Sequence, residues 1–168
     1  MKKILILSDT HRRDDNMKRV IEEESPVDMI IHLGDAEGSE YLIPEWANED
    51  CEIVAVRGNN DFFSSLDNEI ELDLGPHRIF LTHGHYYNVS FGVEDLYDEA
   101  VARGCDIAMY GHTHRPFLDT IDGVTILNPG SLSYPRQSGH QPSYMVMEMD
   151  DDGKCQFRLY FLGREERY

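Results

Sequence analysis

The residues able to do chemistry fall in five short polar clusters, each placed after an apolar run of strand length. Asp9-Thr10-His11 follows the first run, Gly34-Asp35 the second, and Gly58-Asn59-Asn60-Asp61 the third. His83-Gly84-His85 and Gly111-His112-Thr113-His114 follow two later ones. Any one of these carries little information, because a lone histidine is more often a surface or hydrogen-bonded residue than a ligand. Five in order are a different matter: beyond the carboxyl ends of parallel strands, side chains converge on one edge, and ligands bind there. The neighbouring glycines allow tight turns and close backbone approach. Together the clusters offer the carboxylates Asp9 and Asp35, the amide Asn59, and the imidazoles His11, His83 or His85, His112 and His114, with no thiolate. That donor set suits Mn, Fe, Ni, Co or Zn in an open catalytic site and not a closed structural zinc site. It holds too many ligands for one ion with an open position, and fits two ions sharing a bridging carboxylate.

The elements that must position these clusters can be read from the apolar pattern. Lys3–Ser8, Asp28–Leu33 and Glu52–Arg57 read as strands, separated by helices at Asp14–Glu24 and Glu40–Ala47. Acidic residues open the first helix, Met17, Val20 and Ile21 have helical spacing, and Pro26 stops it. This β-α-β-α-β order implies parallel strands with covering helices. In the second half, Ile70–Leu74 and Arg78–Thr82 flank the turn dipeptide Gly75-Pro76. A helix at Val93–Arg103 ends at Gly104, and Asp106–Tyr110 is a further strand. Phe117–Ile121 and Val124–Leu127 flank Asp122-Gly123, a hairpin signal. Ser143–Met149 and Gln156–Phe161 form a third hairpin around Asp151-Asp152-Gly153-Lys154. Two packed sheets with helices outside accommodate both halves, within a single domain spanning 1–168.

Composition narrows the function classes. Acidic residues outnumber basic ones 32 to 15, for a net charge of −17, so stable binding of long nucleic acid is not expected. Lysine is confined to Lys2, Lys3, Lys18 and Lys154, a pattern that resembles proteins of high-salt cytoplasms. No apolar stretch approaches the ~20 residues that span a bilayer, and the first apolar run is cut short by Ser8-Asp9, unlike a signal peptide. A cytoplasmic protein without membrane contact is the expectation. The unpaired Cys51, Cys105 and Cys155 suit a reducing compartment. His32 reads as a packed core histidine and His77 as a solvated turn residue. Arg12 and Arg13, next to a ligand cluster, either offset the acidic surface or meet a phosphate. A homo-oligomer is compatible with all of this.

The ordered series DxH, GD, GNxD, a later His and GHTH resembles the calcineurin-like metallophosphoesterases. The short chain and Asn128-Pro129-Gly130-Ser131 look like their small bacterial and archaeal phosphodiesterase branch. The resemblance runs from about Lys2 to about Arg136 and implies an α/β fold, a four-layer α/β/β/α sandwich of two mixed sheets flanked by helices. It implies that Asp9, His11, Asp35 and His114 bind one metal, and that Asp35 bridges to a second completed by Asn59, His83 and His112. His85 is then a neighbouring group or proton donor. One departure stands out: many relatives carry His after the motif Asn, and here that position is Asn60, which cannot be a general acid.

The resemblance implies a metal-dependent phosphodiesterase with two divalent ions per chain, Mn first among them. A bridging water, ionised near neutral pH, would attack a small phosphate ester. Asn60, His85 and Arg136 are the residues expected to assist catalysis. Asn60, Ser131 and Arg136 are expected to contact substrate, with Arg115 as further charge. The alternatives are a nucleotide-directed phosphodiesterase and a non-catalytic metal-binding scaffold, like the retromer subunit of the same fold.

Overall fold

A computed structural model describes residues 1–163. The first sheet contains β1 (Lys2–Leu7), β2 (Met29–His32), β3 (Glu52–Ala55), β9 (Ser143–Met149) and β10 (Cys155–Phe161). Its order is β10-β9-β1-β2-β3. The second contains β4 (Glu69–Leu74), β5 (His77–Thr82), β6 (Ile107–Met109), β7 (Pro116–Ile121) and β8 (Val124–Pro129), in the order β4-β5-β6-β8-β7. The strands β1, β2 and β3 are parallel, as are β5, β6 and β8, while the hairpin partners β4, β7, β9 and β10 run antiparallel to their neighbours. Both sheets are therefore mixed.

Strand alternation explains the layering, because successive side chains face opposite sides of a sheet. Ile4 and Ile6 of β1, Met29 and Ile31 of β2, Ile79 and Leu81 of β5, and Ile107 and Met109 of β6 meet in one core between the sheets. The intervening Leu5, Leu7 and Ile30 pack outward with Met17, Val20 and Ile21 of α1 (Asp15–Glu24). On the far side, Phe80, Ala108 and Ile126 pack with Leu96 and Ala100 of α3 (Glu94–Ala102). The expected α/β/β/α order follows from these three cores.

Three local expectations are corrected. The helix read over Glu40–Ala47 is a 3₁₀ turn at Ser39–Leu42 followed by the single turn α2 (Ile43–Trp46). Pro44 explains the break, since its ring collides with the carbonyl four residues earlier and it has no N–H to give. The third strand ends at Ala55, although the Val56 amide still reaches His32 O; the Arg57 amide turns away to Asp67 O. His77 is no solvated turn residue: its Nδ1 lies 2.6 Å from Asp106 Oδ2, and its Nε2 meets Gly153 O. The Asp122-Gly123 turn has left-handed φ angles of 44° and 83°, as a two-residue hairpin requires. No described helix is long and apolar enough to cross a membrane.

Candidate metal centre

All five clusters reach the same edge, at the carboxyl ends of β1, β2, β5 and β6 and of the chain leaving β3. The turns that carry them are strained. Asp9, His11, Arg12, Asp35, Glu37, His112 and His114 all hold positive φ, between 48° and 71°. Non-glycine residues rarely adopt such angles, and where they cluster the surrounding structure enforces them for a purpose. Two glycines make the convergence possible. A Cβ on Gly58 would lie 2.1 Å from Asp35 Oδ1, and one on Gly111 would lie 2.1 Å from Ser8 Oγ and 2.7 Å from Asp9 Oδ2.

The histidines are oriented by their second nitrogens. His83 Nδ1–H donates to Leu33 O (2.6 Å), His114 Nδ1–H to Tyr134 O (2.8 Å), and His11 Nδ1–H to the Glu37 carboxylate (3.2 Å). These acceptors carry no proton, so each Nε2 of a neutral ring must turn a lone pair into the site. The Nε2 atoms of His11 and His114 face each other at 3.1 Å. Asp9 Oδ1 lies 3.3 Å from His114 Nε2, 3.7 Å from His83 Nε2 and 3.8 Å from His11 Nε2. Asp35 Oδ2 lies 3.2 Å from His83 Nε2 and 3.8 Å from His11 Nε2. Asp9 Oδ1 and His83 Nε2 are buried without a hydrogen-bond partner. Unpartnered buried polar atoms are costly, and lone pairs turned on one another repel. A cation among them removes both penalties. Asp9, His11 and His114 form one group with ligand atoms close enough for an ion, and Asp9, Asp35 and His83 form another. The donor set therefore fits metal.

Asn59 is exposed at the rim, with Oδ1 3.0 Å from His112 Nδ1. His85 is half-buried; its ring centroid lies 5.5 Å from that of His83 and 6.1 Å from that of His112.

Electrostatics follow from burial and pairing. Burial would raise the Asp9 carboxyl, but His83 and His114 outweigh it and hold the pKa below the usual range. Burial likewise opposes ionisation of Asp35, and His83 with the two N–H groups of Asn60 overcomes it. Against its own burial, His83 is pushed up to about 9 by Asp9 and Asp35. His85 and His112 are pushed down, by burial first and then by His83. His32 is the core histidine expected: burial lowers it to about 4, Gly34 N–H donates to its Nδ1, and its Nε2 meets Thr10 Oγ1 at 3.0 Å.

The residues expected at the substrate divide. Arg136 is exposed and lines a cleft of about 560 Å³ with His11, Glu37, His114, Tyr134 and Pro135. Arg115 lines a neighbouring groove with Tyr110, Thr113 and Phe117, and Arg136 borders that groove as well. Asn60 gives its backbone N–H to Asp35 Oδ1 (2.8 Å) and its Nδ2–H to Oδ2 (3.0 Å). Ser131 departs from expectation. It is fully buried, donates Oγ–H to Asp9 O (2.8 Å) and accepts from the Ser133 and Tyr134 amides, so it braces the loop of Asp9 and does not face a cleft.

Other supports were not singled out from the sequence. The Asp61 carboxylate accepts from the Asp35, Glu37 and Gly58 amides at 2.7–2.8 Å and locks two clusters together. Glu37 aims His11, and Ser8 Oγ–H with the His112 amide holds Asp9 Oδ2. Asn128 ties the Gly111–Thr113 turn to Gly130. Asp61 lay inside a recognised cluster, but spacing alone does not tell a carboxylate facing amides from one facing a metal.

Comparison with known proteins agrees with this geometry. The chain is 31% identical over 174 aligned residues to a phosphodiesterase of Escherichia coli, covering 89% of each. A conserved protein of Streptococcus pneumoniae, a predicted phosphoesterase, superposes with a TM-score of 0.79 at 30% identity, covering 97% of this chain and 90% of that one. A single-substitution variant of Vps29 from Entamoeba histolytica has a TM-score of 0.76 at 22% identity, covering 96% and 99%, and shares the fold. Residues 1–152, which contain every cluster described above, match the calcineurin-like phosphoesterase superfamily domain, and the chain belongs to that superfamily.

Proposed function

We propose that the chain is a dinuclear metal-dependent phosphodiesterase acting on small phosphate diesters. The observation that carries the reading is the convergence of Asp9 Oδ1, Asp35 Oδ2 and the Nε2 atoms of His11, His83 and His114, two of these atoms being buried without partners. Asp9, His11, Asp35 and His114 would hold one ion. Asn59, His83 and His112 would hold the other, with Asp35 shared. When bound, two divalent cations supply Lewis acidity and bring the pKa of a coordinated water toward ~7.

The chain's own residues do the rest. Glu37, Leu33 O and Tyr134 O fix the ligand imidazoles in the tautomer that presents Nε2. Asn60 holds both oxygens of Asp35, which keeps the shared carboxylate in one rotamer. Arg136, in the cleft beside His11 and His114, offers charge to a phosphoryl oxygen. A second cleft, of about 190 Å³, opens on the other side of Glu37 and is lined by Asn60 and Arg12. Two clefts that share Glu37 would accommodate the two arms of a diester. Asn60 cannot act as a general acid, which leaves His85, beside His83 and His112, as the candidate proton donor.

The test is turnover of bis-(p-nitrophenyl) phosphate and of p-nitrophenyl phosphate by protein stripped with chelator and then reloaded with Mn²⁺, Ni²⁺ or Zn²⁺. The diester should be hydrolysed in a metal-dependent way and faster than the monoester. Full activity in the stripped protein would overturn the mechanism. Stoichiometric metal binding with no hydrolysis of either ester would favour the scaffold reading.

A further inference from the structure

The 190 Å³ cleft is bordered by side chains that the metal centre does not use. Tyr41, Phe62 and Phe63 stand in its wall with relative exposures of 67%, 69% and 103%. Three large aromatic side chains exposed together on one cleft form an apolar patch of the kind that marks a binding site. None of the three pairs with another aromatic ring within the described residues. The cleft lies next to the centre, two of its lining residues being bonded to candidate ligands. Asn60, in its wall, bonds Asp35, and Glu37, also in its wall, orients His11.

Arg12 completes the arrangement. Its Nε–H is anchored on Glu37 O at 3.0 Å, in the left-handed turn directly after His11. Its side chain lines the cleft together with Asn60 and the three aromatic residues. A ligand matching this order has an anionic phosphoryl group at the metals, a charge or polar linker within reach of Arg12, and a flat aromatic group among Tyr41, Phe62 and Phe63. We infer that this cleft binds the nucleoside arm of the substrate, so that the preferred diester carries a nucleotidyl group. This inference rests on the phosphodiesterase reading and narrows it. Stacking on aromatic side chains suits any base, because every base offers a π-face, and is worth roughly 5- to 150-fold per base. The acidic surface, in turn, disfavours long strands and leaves small nucleotidyl esters as the class.

The experiment compares two diesters with the same leaving group in Mn²⁺-loaded protein: thymidine 5′-(p-nitrophenyl) phosphate and methyl p-nitrophenyl phosphate. The nucleotidyl ester should have a kcat/KM roughly 10-fold higher or more, mainly through KM. In Phe62→Ala, Phe63→Ala and Tyr41→Ala that ratio should fall toward one, most of all in the double variant of Phe62 and Phe63. All three residues are exposed, and melting curves of the variants should match the parent. A ratio near one in the parent, or a ratio untouched by all the substitutions, would overturn the inference while leaving the phosphodiesterase reading intact. If neither diester is cleaved, that reading fails by itself. The cleft is then tested by calorimetry of the metal-loaded protein with AMP and with glycerol 3-phosphate. Tighter binding of AMP, lost in the double variant, would support the aromatic subsite, and equal binding would end it.

Discussion

Two edges of the same sheets use histidine in opposite ways. At the carboxyl edge, His11, His83 and His114 each spend Nδ1–H on a fixed oxygen and turn Nε2 toward carboxylates and other rings. At the amino end of β5, His77 places both nitrogens on oxygens, Asp106 Oδ2 and Gly153 O, and so ties the β4–β5 hairpin to the β9–β10 turn. The difference separates a ligand from a brace. His77 is an imidazolium whose two acceptors serve it alone, whereas the second nitrogens of His11, His83 and His114 converge on one another and on the two shared carboxylates, where a metal cation could take the place of the proton that Asp9 and Asp35 favour on His83. Burial does not make this distinction, because His77 is only 20% exposed and would be grouped with the ligands on that measure.

The largest effect expected at the carboxyl edge comes from Asp35→Ala. It removes the shared carboxylate and leaves His83 facing Asp9 alone. Both metals should be depleted by elemental analysis, and diester hydrolysis should drop by at least about 10²–10³-fold, the scale seen when one transition-state contact is removed. Two ions per chain in this variant would break the bridging assignment. Next comes the pair His83→Ala and His85→Ala. The first should empty the second site; the second should retain metal, because among the described residues His85 belongs to neither group of close ligand atoms, whereas His83 does. The reverse outcome would exchange their roles.

The smallest effect belongs to the opposite edge. His77→Ala should leave metal content unchanged and lower stability by about 1 kcal/mol at pH 6, allowing for the half-exposed Asp106. Burial alone would lower the His77 pKa, but Asp106 and Gly153 O raise it overall. A raised histidine value contributes fully below the unfolded value and is lost as pH rises through the folded one. The deficit in urea unfolding should therefore shrink between pH 6 and pH 9. A deficit that grows with pH, or loss of metal, would erase the contrast between the two edges.

Much of this was legible in the residues. The apolar runs of strand length assigned the strands, and the polar clusters at their ends named the groups that converge. Less visible were features set by backbone direction. Asp61 reads as a member of the Gly58–Asp61 cluster, yet its carboxylate is turned inward to three amides. Ser131 sits in a recognisable segment, yet its hydroxyl is consumed by the Asp9 carbonyl. His77 has no sequence neighbour that announces Asp106, which lies 29 positions away and meets it only through the pairing of β5 with β6. The helix read over Glu40–Ala47 is present but divided into a 3₁₀ turn and a single α-turn for a local reason, Pro44, that could have been weighed from the chain itself.

The two carboxylates of the centre belong to the first sheet and two of its imidazoles, His83 and His114, to the second. The site is thus a seam. Beneath it the sheets are held together by apolar side chains, which resist separation without fixing direction; at the rim, bound cations would act as rivets, holding the sheets in one register. Metal bound at 100 times its dissociation constant would add about 2.7 kcal/mol to stability by mass action. That gain would concentrate where the two halves meet, so amide exchange at the ends of β1, β2, β5 and β6 should slow first. The proposed metal ligands and the mechanical fastening of the sandwich would then be the same atoms, and loss of metal would loosen the fold at that seam first.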